Sequence, residues 1–154
     1  LPSDTKTTAG LGVFPISIVA RAYGQEVDAI EVHLSFDPAI LQVVDEQGRP
    51  ATEISATAAL SDVVINRVDN LAGKVDLVLA QLQPPAATGE LWLGQLWLKA
   101  LAPAAETWLR FASEPGRRSD VARAGRSVLQ SYQAARIASA APHRVELPLI
   151  YRRR

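Results

Sequence analysis

The chain has no cysteine among its 154 residues. That excludes disulfide bonds and thiolate metal centres, though not export from the cell. Histidine is almost as scarce. His33 and His143 are the only two, and neither has a second histidine at metal-ligand spacing. No run approaches the roughly 20 apolar residues that a spanning helix needs, so no membrane span is expected. The sequence opens on Leu1-Pro2-Ser3-Asp4 rather than on methionine and is polar from the outset, so no signal peptide is expected within it. The expectation is a processed or excised piece whose own N-terminus carries no information about export. Also missing are a G-x-S-x-G elbow, an H-E-x-x-H helix, a phosphate-binding P-loop and a dinucleotide fingerprint. Carboxylates are plentiful, but nothing in their order singles out a pair for glycoside hydrolysis. Asp37, Asp45, Asp62, Asp69 and Asp76 stand singly, without the spacing of a calcium loop. A non-enzyme with no cofactor and no metal is expected.

What is present is ordinary in amount and uneven in arrangement. Apolar residues make up 48% and charged residues 21%, as in a folded soluble domain, and the length fits one domain. Net charge is zero, yet residues 1–109 hold 6 Lys/Arg against 13 Asp/Glu, and residues 110–154 hold 10 against 3. Either the two parts neutralise each other on the folded surface, or the basic end meets an acidic partner, an anionic polymer or a membrane surface. The arginines are spread out, with only Tyr132 and Tyr151 as tyrosines among them, and no nucleic-acid motif accompanies them. Nucleic acid is not an expected partner.

The most informative stretch is 27–45, VDAIEVHLSFDPAILQVVD. Ile30, Val32, Leu34 and Phe36 alternate with Ala29, Glu31, His33 and Ser35, the period of a strand with one buried face. Asp37-Pro38 then breaks the strand, because proline disfavours helix for the residue before it and the pair suits a type I turn. Further strands are expected at 13–23, 62–68, 73–82, 88–100 and 107–113, separated by short turns. Asp69 to Gly73 reads as a hairpin link. Residues 51–60 suit a short helix or an irregular connection. Residues 126–138 fit helical spacing (Val128, Leu129, Tyr132, Ala135) and strand spacing alike, and closing a sandwich favours strands. No long helical period separates the strands, which argues against alternating strand–helix units.

A strand ending in Ser35-Phe36-Asp37-Pro38, followed by Ile40-Leu41 and Val43-Val44, resembles the cohesin domains of bacterial extracellular and cell-surface proteins. The later strands follow in matching order, so the likeness runs from Val13 to Phe111. It implies an all-β jelly-roll β-sandwich of about nine strands, with at most one short helix. It also implies a non-catalytic, extracellular or cell-surface module that binds a dockerin-type protein partner. The residues leave two alternatives open: a carbohydrate-binding module taking a polysaccharide, and a structural spacer in a surface protein. A monomer is expected. The domain plan is a linker or flexible arm at 1–12, the sandwich at 13–140, and a basic tail or terminal strand at 141–154. The end of the chain, L-P-L-I-Y-R-R-R, also resembles the C-termini of exported bacterial surface proteins that are read by a sorting system.

The resemblance implies that strands 29–35, 62–68, 74–82 and 91–99 share the partner-facing sheet. Glu31, His33, Asn66, Asp76, Gln95 and Trp97 are then the outward candidates. Asn66 falls where the family often carries asparagine. Strict alternation through 91–100 puts Trp92, Gly94, Leu96 and Leu98 on one face and Leu91, Leu93, Gln95 and Trp97 on the other. Trp97 is either an exposed anchor among polar neighbours or a second core residue. If the ligand is a sugar, Trp97 and Trp108 are the stacking candidates.

Overall fold

A computed structural model describes residues 5–8 and 12–139 of the chain. In chain order the strands are β1 (Thr5–Thr8), β2 (Val13–Arg21), β3 (Ala29–Ser35), β4 (Leu41–Val44), β5 (Ser55–Ala56) and β6 (Asp62–Asp69). They continue as β7 (Lys74–Ala80), β8 (Glu90–Ala100), β9 (Thr107–Phe111), β10 (Asp120–Arg123), β11 (Arg126–Ser127) and β12 (Ala135–Ala138). No helix occurs among the described residues. The fold is an all-β jelly-roll sandwich. The twelve strands exceed nine by three, the excess being the four-residue β1 and the two-residue pieces β5 and β11.

One sheet runs β6-β7-β3-β9-β12-β1, antiparallel except for the β1–β12 pair, which is parallel. β3 pairs with β9 at Leu34 and Ser35, and with β10 at Ala29, Ile30 and Glu31 on the same edge. The connection from β9 to β10 therefore has to loop out beside His33. The second sheet places β8 between β2 and β4, with β5 against the middle of β8.

The alternation of β3 and β7 turns Ile30, Val32, Leu34, Val75, Leu77 and Leu79 inward. Ile16 and Ile18 of β2, Leu41 and Val43 of β4, and Leu96 and Leu98 of β8 join them in one core. Each fully buried leucine contributes roughly 1.5–3 kcal/mol relative to exposure, so this interior is the main source of stability. Aspartates close the turns. Asp37 Oδ1 accepts from the Ala39 N–H at 2.9 Å, and Asp69 Oδ1 accepts from Leu71 and Ala72 at 3.0 and 2.9 Å. These side chains replace strand partners that the bends remove.

Strict alternation does not hold along β8. A bulge between Ile18 and Val19 of β2 leaves Leu93 without a partner, so the register passes from Ile18↔Gly94 to Val19↔Trp92. Leu91 and Leu93 consequently join Leu96 and Leu98 in the core, and Trp92 faces outward at 55% exposure. Residues 51–60 hold only β5 and turns, and residues 126–138 hold β11, an irregular link and β12. Within 1–12, read above as an arm, Thr5–Thr8 is a paired strand. The expectations for 141–154 lie outside the described residues.

Candidate functional site

The outward side of β3, β7 and β6 is ordered in rows by the strand register. Glu31 lies opposite Val78, which lies opposite Ile65. His33 lies opposite Asp76, which lies opposite Arg67. Ser35, Lys74 and Asp69 form the third row. The first row carries one carboxylate and two apolar side chains. The others are polar or charged.

The middle row is held rigid. His33 Nδ1 is 2.7 Å from Asp76 Oδ1, and His33 Nε2 is 3.7 Å from a Glu31 carboxylate oxygen. Arg117, from the β9–β10 connection, lies back over these strands. Its Nε donates to Asp76 Oδ1 at 3.0 Å, its Nη2 to the Leu34 carbonyl at 2.9 Å and its Nη1 to Glu114 at 2.8 Å. Ser119 Oγ accepts from the His33 N–H at 2.8 Å, and the Ala112 N–H donates to the His33 carbonyl at 2.8 Å. The β3 edge is thus satisfied where it lacks a strand neighbour. Burial works to raise the Asp76 carboxyl, but the hydrogen bonds from His33 and Arg117 outweigh it and hold the group below its ordinary value. Lys74 completes the cluster at 3.5 Å from Glu114.

No protein-family model matches the chain, and no curated protein matches it. Solved structures do. A type II cohesin domain from the cellulosome of Acetivibrio cellulolyticus aligns with TM-score 0.68 at 16% identity, covering 88% of this chain and 90% of that one. The third ScaC cohesin of that organism, solved in complex with the ScaB dockerin, gives 0.69 at 12% identity, covering 90% and 97%. The seventh ScaB type I cohesin of Pseudobacteroides cellulosolvens gives 0.64 at 13%, covering 96% and 95%. The chain has a cohesin-like fold.

Within this cohesin-like sandwich the six candidates fall into three groups. Glu31, His33 and Asp76 share one patch. His33 points outward but is only 8% exposed. Asn66 points inward from β6. Its side chain accepts from the Ile54 N–H at 2.9 Å and donates to the Ile54 carbonyl at 2.8 Å, fixing the 52–56 segment against the strand edge. Gln95 and Trp97 lie on the opposite surface of the molecule, because β8 belongs to the other sheet. The expectation that strands 29–35 and 91–99 share a sheet is therefore corrected. The matching apolar rhythm of the two strands reflects a common core, which they face from opposite sides.

Nothing in the order of residues marks Arg117, whose segment E-P-G-R-R-S-D reads only as a loop. Ile65 and Arg67 were reachable in principle. Their outward direction depends on a bulge between Val63 and Ile65 that shifts the phase of β6.

Proposed function

We propose that the chain is a non-catalytic recognition module of the cell exterior or surface. Its partner is a dockerin-type protein module, which it binds through the outward side of β3, β7 and β6. The observation that carries this reading is the combination of that face with the cohesin-like fold. Val64 and Ile65 are exposed beside Arg67, Asp76 and Glu31, and the Arg117 network fixes the charged row before any partner arrives. A flat surface that mixes apolar contacts with pre-oriented charges suits a protein partner. Glu31, Ile65, Arg67 and Asp76 are the contact residues of this reading. His33 and Arg117 are positioning residues.

The test is calorimetric titration of the chain against a panel of dockerin modules, repeated with Ile65→Ala and Arg67→Glu. Binding that weakens at least roughly tenfold in both variants supports the reading. Binding of none of the panel, or binding indifferent to both changes, rejects it.

A further inference from the structure

Among the charged groups described on the outward side of β3, β7 and β6, His33 alone changes charge near neutral pH. Histidine titrates between about pH 5 and pH 8, whereas carboxylates and guanidinium groups keep their charge across that interval. The ring is nearly buried, and both of its nitrogens face carboxylates. Nδ1 is 2.7 Å from Asp76 Oδ1 on β7, and Nε2 is 3.7 Å from Glu31 Oε2 on β3 itself. Four other charged groups surround this set. They are Arg117 and Glu114 of the β9–β10 connection, Arg67 of β6 opposite Asp76, and Asp120 of β10 opposite Glu31.

The two ring contacts respond differently to a proton. Asp76 Oδ1 is an acceptor that also takes the Arg117 Nε–H at 3.0 Å, so Nδ1 carries hydrogen whatever the charge of the ring. In the neutral ring this fixes the tautomer. Nε2 then turns a lone pair toward the Glu31 carboxylate, which is also only an acceptor, and the two repel. Glu31 is half exposed, so its side chain can swing outward. Protonation puts a hydrogen and a positive charge on Nε2 and draws Glu31 back onto the ring. Asp76 does not follow, because Arg117 and His33 Nδ1 hold it in both states. The proton therefore controls one carboxylate of the face and leaves its neighbour in place.

We propose, on the footing that β3, β7 and β6 form the dockerin-binding side, that His33 is a pH-sensitive latch: its neutral ring releases Glu31 to the partner and its protonated ring withdraws it. A dockerin donor that engages Glu31 competes with the His33 proton, so by linkage binding weakens in mild acid and complex formation releases protons. Two measurements test this. In the free chain, the NMR signal of the Glu31 carboxyl carbon should inflect in step with the His33 ring signals, and the neutral ring should show the Nδ1–H tautomer in its nitrogen shifts. His33→Gln should abolish the Glu31 inflection. In calorimetric titration with a dockerin module, affinity should fall roughly fivefold or more between about pH 8 and about pH 5.5. His33→Gln should lose most of that dependence, and so should Glu31→Gln, which alters an exposed side chain. The dockerin's own titration is common to all three proteins and cancels in the comparison. A Glu31 signal indifferent to His33, an Nε2–H tautomer, or the same pH dependence in all three proteins would overturn the latch and leave the dockerin reading standing. No dockerin binding at any pH would reject that reading and the latch with it.

Discussion

Arg117 donates from Nε to the same Asp76 oxygen that His33 engages, at 3.0 and 2.7 Å respectively. One carboxylate oxygen therefore joins β3, β7 and the β9–β10 connection. The contact also accounts for part of the charge asymmetry along the chain. Arg117 meets Asp76, Arg123 meets Glu26 and Asp28, and Arg136 meets Glu106. In each case an arginine of the basic third reaches a carboxylate of the acidic part, so at these three points the two parts neutralise each other on the folded surface.

Arg117→Ala should cost about 1–3 kcal/mol, because it removes several hydrogen bonds to charged or carbonyl oxygens and leaves Asp76 half-paired. Both side chains are mostly buried, at 15% and 25% exposure, so screening by solvent is incomplete. Arg117→Lys keeps the charge but loses the planar fork, and should fall between the two. Urea midpoints of the three proteins check the order. Protection of the 112–119 amides from exchange should fall in parallel.

Stability should decline in acid. The folded Asp76 carboxyl titrates below its ordinary value because His33 and Arg117 outweigh the opposing effect of burial. A carboxylate depressed in the folded state stabilises the fold above its unfolded value, near pH 4, and that stabilisation is lost as pH falls through the folded value. Asp28, held down by the Ala124 N–H and Arg123, acts in the same direction. Melting temperatures measured from pH 7 down to pH 2 should fall chiefly below about pH 4. The Asp76→Asn protein should start lower and fall less. An Asp76→Asn curve parallel to the parent would show that this carboxylate contributes nothing to the acid limb.

The strands were legible in the sequence wherever a period of two ran unbroken. Residues 29–35 are β3, and the apolar set Ile30, Val32 and Leu34 is core. The turns were legible because Asp-Pro and Asp…Gly have a local chemistry that outlasts context. Two kinds of information were not local. The bulges in β6 and β8 each shift the phase by one residue, and no propensity marks Val64 or Leu93 as the extra one. Sheet membership was the other: β3 and β8 face the same core with the same rhythm, so their pattern alone leaves open which side each supplies. The resemblance groups Gln95 and Trp97 with Glu31, and the rhythm of the residues holds nothing that would separate them. The role of Arg117 is not local either, because Asp76 and Leu34, which it holds, lie 41 and 83 residues away in sequence.

Gly73→Ala should be among the more damaging single-methyl additions. Gly73 has φ of +66°, and a Cβ there would stand 2.2 Å from the Phe36 carbonyl oxygen. The Phe36 N–H also donates to the Gly73 carbonyl at 2.9 Å, so the backbone cannot retreat without breaking that bond. Strain in this region costs about 1–3 kcal/mol before the steric clash is added. Gly24→Ala, also at positive φ but with open space around the missing Cβ, is the control. Thermal unfolding should place Gly73→Ala well below Gly24→Ala.

Ile65 and Leu77 separate the two sides of the large sheet in one comparison. They sit on adjacent strands, yet Leu77 is fully buried in the core and Ile65 is 43% exposed on the outward side. Leu77→Ala removes core volume on a strand flanked by partners on both edges, where collapse is hindered, and should cost about 2–5 kcal/mol. Ile65→Ala removes side chain that already meets solvent on an edge strand, and should cost under about 1 kcal/mol. The order reverses for recognition. Ile65→Ala should weaken dockerin binding although its denaturation midpoint barely moves, whereas Leu77→Ala, measured where it is still folded, should bind as the parent does. A large stability loss in Ile65→Ala with unchanged binding would mean that this row is structural and that the partner-facing side lies elsewhere.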